Sequence, residues 1–241
     1  MNAIYRELLT VTVTASNAAK SYDGNTYSGG NGASYSGLVN GDTSASLGGT
    51  LAYGGSSQGA TNAGSYVITP SGHTNGLGYV LAYADGSLTV NPAALTITAD
   101  NASKTYGASK TFAGTEFTTS GLANGETVGS VTLASTGSGA TASVAGGPYA
   151  IVASNAVGGT FDAGNYTLTY VNGSLTVLRR QLTVTADPKS KDEGAGDPAL
   201  TYQAETQSGN RGLVSGESLT GSLTRDAGGS AGTYPIRQGT V

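Results

Sequence analysis

The sequence predicts an all-β protein: tandem immunoglobulin-like β-sandwich modules in an elongated array, with no substantial helix. Three observations lead there. The chain repeats itself, with Thr14-Ala15-Ser16-Asn17 recurring 84 residues later as Thr98-Ala99-Asp100-Asn101. Apolar and hydroxyl side chains alternate with a period of two, which places them on opposite faces of a sheet. Glycine, at 39 of 241 residues, punctuates the alternation at turns. No window carries convincing helical spacing.

Each unit opens with an alternating strand, as in Leu95 and Ile97 between Thr96 and Thr98, and Leu182-Thr183-Val184-Thr185-Ala186 opens a third copy. A lysine follows at Lys20, Lys104 and Lys191. Next comes a box, Gly37-Leu38-Val39-Asn40-Gly41-Asp42, which recurs as Gly121-Leu122-Ala123-Asn124-Gly125-Glu126 and as Gly212-Leu213-Val214-Ser215-Gly216-Glu217. Tyr66, Tyr149 and Tyr234 then occupy one repeat position, each with Ile two residues on, and this shared face reads as core. Asp162-Ala163-Gly164-Asn165-Tyr166, with Asn62-Ala63-Gly64-Ser65-Tyr66 as a near copy, has the form of a tyrosine corner, in which the phenol ties back to upstream backbone.

The closing segment is Tyr79-Val80-Leu81-Ala82-Tyr83-Ala84-Asp85-Gly86-Ser87-Leu88-Thr89-Val90, repeated from Tyr166 to Val177. Its Asn172-Gly173 and Asp85-Gly86 steps read as hairpins with type I′ turns, which need positive φ. The units are expected at 8–93, 94–180 and 181–241 after a short extension at 1–7, with the third ending before its closing hairpin. Asn91-Pro92-Ala93 makes the first link too short for a random coil, and proline stiffens it.

Tyr22-Asp23-Gly24, the box at 37–42 and the closing stretch at 165–177 resemble the YDG and MBG (mostly-β, glycine-rich) repeats of large bacterial surface adhesins similar to filamentous haemagglutinin. Units one and two look YDG-like. Unit three, with Gly196-Asp197-Pro198-Ala199-Leu200-Thr201-Tyr202, is closer to the MBG type. Unit two departs from the pattern at Tyr106-Gly107, which lacks the Asp, and unit three at Asp192-Glu193, which lacks the Tyr. The resemblance implies an exported, cell-surface protein in which such modules recur as stalk and project a distal binding region. The partners implied are adjacent repeats of the parent adhesin, with a host or abiotic surface met through other regions. The resemblance carries no catalytic residues.

Composition narrows the chemistry. With no Cys there is no disulfide, thiolate metal site or thiol nucleophile, and one His cannot build a multi-histidine centre. A net charge of −4 argues against a nucleic-acid partner. No stretch is apolar enough to span a membrane as a helix, so membrane insertion of this segment is not expected. The start lacks a signal-peptide pattern, so the export signal is expected outside this segment. Neither an enzymatic role nor a cofactor is expected.

The site candidates are few. Asp100 and Asp187, just past the opening strands of units two and three, are calcium candidates at module junctions, although unit one has Ser16 there. The acidic stretch Asp192 to Asp197 lacks the spacing that wraps an ion and reads as a solvated loop. His73 stands in a turn-rich stretch with no equivalent in the other units. Tyr5, Tyr27 and Tyr35 fall outside the repeat alignment, are expected to be exposed, and are the ligand-binding candidates. Two rival functions are a module that binds glycan or another surface directly and a self-associating biofilm matrix protein, which would pair through open sheet edges.

Overall fold

The computed structural model describes residues 8–75 and 78–241; the ligand candidate Tyr5 lies outside them. The described chain is strand and irregular segment with two single-turn 3-10 helices, and no helix in it is long and apolar enough to cross a membrane. Contacts divide it into two compact units. The first runs to Ala99 and adds Gly114–Thr132 and Ala153–Val171. The second takes Asp100–Ala113, Leu133–Val152 and Asn172–Val241.

Repeat 1 lies in the first unit. Its strands are β1 (Thr10–Ala15), β2 (Ala18–Ser21), β3 (Ala33–Ser36), β4 (Gly48–Gly54), β5 (Gly64–Thr74), β6 (Val80–Ala84) and β7 (Gly86–Asn91). They form two sheets, ordered β3-β1-β6 and β2-β7-β5-β4. The alternation in β1 turns Val11, Val13 and Ala15 inward, where they are buried with Ile68 of β5 and Leu88 and Val90 of β7. Each large aliphatic side chain removed from water in this way contributes about 1.5–3 kcal/mol. Leu47 and Tyr79 pack against Val11.

The first and last strands travel together. β1 runs parallel to β6, with Val11 opposite Leu81 and Val13 opposite Tyr83. β2 runs parallel to β7. Both strands therefore break once, after Ala15 and at Asp85, and their second halves continue in the other sheet.

This arrangement corrects the expected closing hairpin. β6 and β7 belong to different sheets. Neither Asp85-Gly86 nor Asn172-Gly173 has the positive φ of a type I′ turn. The glycine serves another need: a Cβ on Gly86 would lie 2.5 Å from the carbonyl oxygen of Ala15. The break is held by an asparagine from the opening strand pair. Ser87 N–H donates to Asn17 Oδ1 at 2.9 Å, and Ser174 N–H to Asn101 Oδ1 at 2.8 Å.

Repeat 2 follows the same plan with β8 (Ala93–Ala99), β9 (Ala102–Thr105), β10 (Phe117–Ser120), β11 (Val128–Ala134), β12 (Tyr149–Gly159), β13 (Tyr166–Val171) and β14 (Gly173–Leu178). Its sheets are β10-β8-β13 and β11-β12-β14-β9. β13 lies parallel to β8, with Leu168 opposite Leu95 and Tyr170 opposite Ile97. β14 lies parallel to β9. Only Pro92 separates β7 from β8. The all-β repeat class expected from the sequence is the one observed. The two parallel pairs in each of these repeats depart from the antiparallel sheets of an immunoglobulin sandwich.

Repeat 3 lies in the second unit and is built more lightly. It has β15 (Val184–Ala186) paired with β16 (Tyr202–Ala204), and β17 (Thr224–Arg225) paired with β18 (Ile236–Arg237). None of the buried apolar residues among those described lies beyond Val177. Four of the five ion pairs among the described residues are here, led by Arg225 and Lys191 on Asp197. Exposed pairs of this kind contribute about 0–1 kcal/mol each, less than one buried aliphatic side chain. Amide hydrogen exchange should therefore be much faster at 182–186 than at 95–99. Equal protection in the two stretches would mean that repeat 3 holds a core comparable with its neighbours'.

Candidate functional site

The recurring box forms a turn that presents its acidic residue. Asn40 and Gly41, like Asn124 and Gly125, have positive φ, and the acid's N–H closes the turn on the carbonyl three residues back. In repeat 1 the Asp42 carboxylate accepts the Tyr79 hydroxyl at 2.7 Å. In repeat 2 Glu126 accepts Tyr166 at 2.7 Å, and Tyr166 Oη also receives the Ala123 N–H at 2.8 Å. Each acid thus anchors a tyrosine of its own repeat.

Glu126 also accepts a second phenol, that of Tyr22 in repeat 1. All of these groups belong to the first compact unit. Tyr22 and Tyr166 meet edge to face with ring centroids 5.4 Å apart. The hydrogen bond to Glu126, aided by burial, pushes the Tyr22 phenol up to about 12. Beside it, the buried Asn165 accepts the Ala63 N–H at 2.8 Å and donates to Asn62 Oδ1 at 3.2 Å. Gly24 explains the end of the Tyr-Asp-Gly triplet. Its φ is +71°, and a Cβ there would stand 2.6 Å from Asn124 Cβ.

The device recurs in the second unit between repeats 2 and 3. The Tyr106 hydroxyl donates to Glu217, which raises the pKa of the phenol. A Cβ on Gly107 would lie 2.7 Å from Val214 Cγ2. Arg180 binds the carbonyls of Tyr106 and Gly212 in the same place. The Tyr-x-Gly edge of one repeat and the acidic box of the next are thus two halves of one clasp.

A family signature described as MBG domain (YGX type) matches residues 11–89, 95–176 and 182–241. The chain belongs to this family. Three tandem MBG repeats place it with surface-associated, adhesin-type repeat proteins. A search of curated proteins found no match.

The other candidates of these MBG repeats fall in varied surroundings. Tyr27 is half-buried, and its backbone binds the loop at Gly59 and Ala60. Tyr35, expected at the surface, is half-buried on β3 against Val11, Leu47 and Tyr79. Its hydroxyl lies 2.7 Å from His73 Nε2, so His73, on β5, braces the sandwich. Tyr66, Tyr149 and Tyr234 are half-buried rather than fully internal. Their hydroxyls donate to the upstream carbonyls of Asn62, Ser143 and Ser230 at 2.8 to 2.9 Å. The corner-like tie thus exists at Tyr66, whereas Tyr166 reaches Ala123 and Glu126 instead.

Asp100 is exposed. Asp187 accepts the Thr201 hydroxyl at 2.5 Å, which lowers its pKa. Among the described residues no group of three or more His, Asp and Glu could hold a metal ion. Asp197 of the acidic stretch is gripped by Arg225 and by Lys191, which pull its pKa down to about 2. The recurring lysine staples the following loop each time. Lys20 binds Asp23 and the Asn25 carbonyl, Lys104 the Ala108 and Gly139 carbonyls, and Lys191 the Ala195 carbonyl.

Tyr22→Phe removes one hydrogen bond to a charged acceptor and should cost repeats 1 and 2 about 1.5–3 kcal/mol. The phenol must be protonated to donate. With its pKa raised from 10.0 to about 12, its contribution is complete below pH 10 and fades as pH rises towards 12. The difference in melting temperature between wild type and Tyr22→Phe should shrink across that window; a constant difference would detach Tyr22 from the clasp. Gly24→Ala meets both positive φ, at about 1–2 kcal/mol, and the Asn124 contact. It should be at least as damaging by the same thermal melt.

Proposed function

We propose that these MBG repeats are spacer modules of an exported bacterial surface adhesin, with boundaries at 8–93, 94–180 and 181–241, and that they perform no catalysis. The supporting observation is the recurring clasp. At the first junction the one-residue link and the Tyr22–Glu126 contact join the same two repeats. A link that short cannot act as a flexible tether. A spacer needs repeats whose mutual arrangement is held, so that a distal binding region stays away from the cell surface. On this reading the partners in this segment are neighbouring repeats of the parent adhesin.

The clasp carboxylates are occupied by phenols, so the junctions should need no calcium, and chelator should leave the melting profile unchanged. Direct glycan binding has less support at Tyr35, whose hydroxyl is already bound to His73. Small-angle scattering tests the spacer reading. A single compact globule of this length has a radius of gyration of about 18 Å. A clasped array should be well above that value, and a result near it would refute the proposal.

A further inference from the structure

An oxidant that meets this chain finds few of the usual side chains to consume. There is no Cys and no Trp, one Met and one His, against 14 Tyr. Thiols and thioethers are the common targets of oxidation, so here the loss of single electrons falls chiefly on the phenols. Among the described residues the two tyrosine rings in contact are Tyr22 and Tyr166, edge to face with centroids 5.4 Å apart.

A phenol gives up an electron readily only when its proton has somewhere to go, because the radical cation left behind is a strong acid. Glu126 provides that place for both rings. Its Oε1 accepts the Tyr22 hydroxyl and its Oε2 the Tyr166 hydroxyl, the latter at 2.7 Å. One carboxylate thus draws the hydroxyl-bearing ends of both rings together. The carbons that flank a hydroxyl are among those on which a phenoxyl radical carries its unpaired electron. Both tyrosines are only 6% exposed. An electron leaves a buried ring without direct contact, whereas coupling to another molecule needs ring against ring. Burial therefore leaves each radical with the other as its nearest partner.

We propose that Tyr22 and Tyr166 are an oxidative cross-linking site, at which a carbon–carbon bond joins repeat 1 to repeat 2. Two equivalents of a one-electron oxidant, such as a haem peroxidase charged by peroxide, each take one electron. Each phenol passes its proton to Glu126 and on to water. The two phenoxyl radicals couple through carbons ortho to their hydroxyls, and the hydrogens on those carbons move to the oxygens as the rings regain aromaticity. The product keeps both hydroxyls and is two hydrogen atoms lighter, and the peroxide that takes up their electrons and protons ends as water. The bond links residues far apart in sequence, so it removes loop-closure entropy from the unfolded chain and secures the clasp.

The test uses the full chain at high dilution, with a photo-excited ruthenium tris-bipyridyl complex and persulfate as the oxidant. Blue dityrosine fluorescence should appear while the protein stays monomeric. After proteolysis, the peptides carrying Tyr22 and Tyr166 should be recovered as one species, with the mass of the pair less two hydrogens. The illuminated monomer should melt at a higher temperature. Tyr22→Phe should remove the joined species, and Tyr83→Phe, at a phenol that is 39% exposed, should leave it in place. Glu126→Gln keeps a hydrogen-bond acceptor but no base. It should lower the yield severalfold while amide exchange at 95–99 stays as in the wild type. Links spread over exposed phenols or formed only between molecules, with no peptide joining Tyr22 to Tyr166, would overturn the inference, as would an undiminished yield in Glu126→Gln.

Discussion

The fold rests on the parallel pairing of the opening and closing strands as they pass from one sheet to the other. That pairing allows a short, hydroxyl-rich chain with few aromatic side chains to cover both inner faces at once. Val11 and Val13 are buried beside β6, and Leu88 and Val90 beside β2. The crossing brings two backbones so close that Gly86 tolerates no side chain, and Asn17 fills the hydrogen-bonding gap that the break leaves. In repeat 3, residues of the same type at the aligned positions stay half in water.

The clasp uses a chemistry suited to a chain with only 11% charged residues. A phenol is a neutral donor, so burying it against a carboxylate strands no second charge. The contact keeps the strength of a charge-assisted hydrogen bond without a buried ion pair's double desolvation. One acid also does two jobs. Glu126 anchors Tyr166 within its own repeat and Tyr22 from the one before, so the stability of repeat 2 and its docking to repeat 1 are coupled through a single side chain.

What was legible in the sequence was what is local or recurs. Period-two alternation located the opening strands, and the repeat spacing located the box and the closing segment. The Tyr-x-Gly edge and the acidic box were both visible as recurring motifs. Their pairing was not, because Tyr22 and Glu126 are 104 residues apart and every repeat offers candidate partners. Asn172-Gly173 read as a tight turn because the same residues that accept positive φ also permit close backbone approach, and sequence alone does not separate these uses. Tyr35 and His73 each lacked counterparts in the other repeats. Non-recurrence suggested a surface position for Tyr35, and turn-rich neighbours suggested a loop for His73, but a pair that is unique to one repeat can still pack together within it.

The parallel neighbours β1 and β6 also determine how repeat 1 bears force. The chain enters the repeat at the start of β1 and leaves it at the end of β7, which continues β6. A pull on those two points drives the strands past each other along their length. The hydrogen bonds from Thr10 opposite Val80 to Thr14 opposite Ala84 are then loaded together, in shear, instead of being unzipped one after another from a free end. Thermally modest modules can resist tension well when their first and last strands are neighbours of this kind.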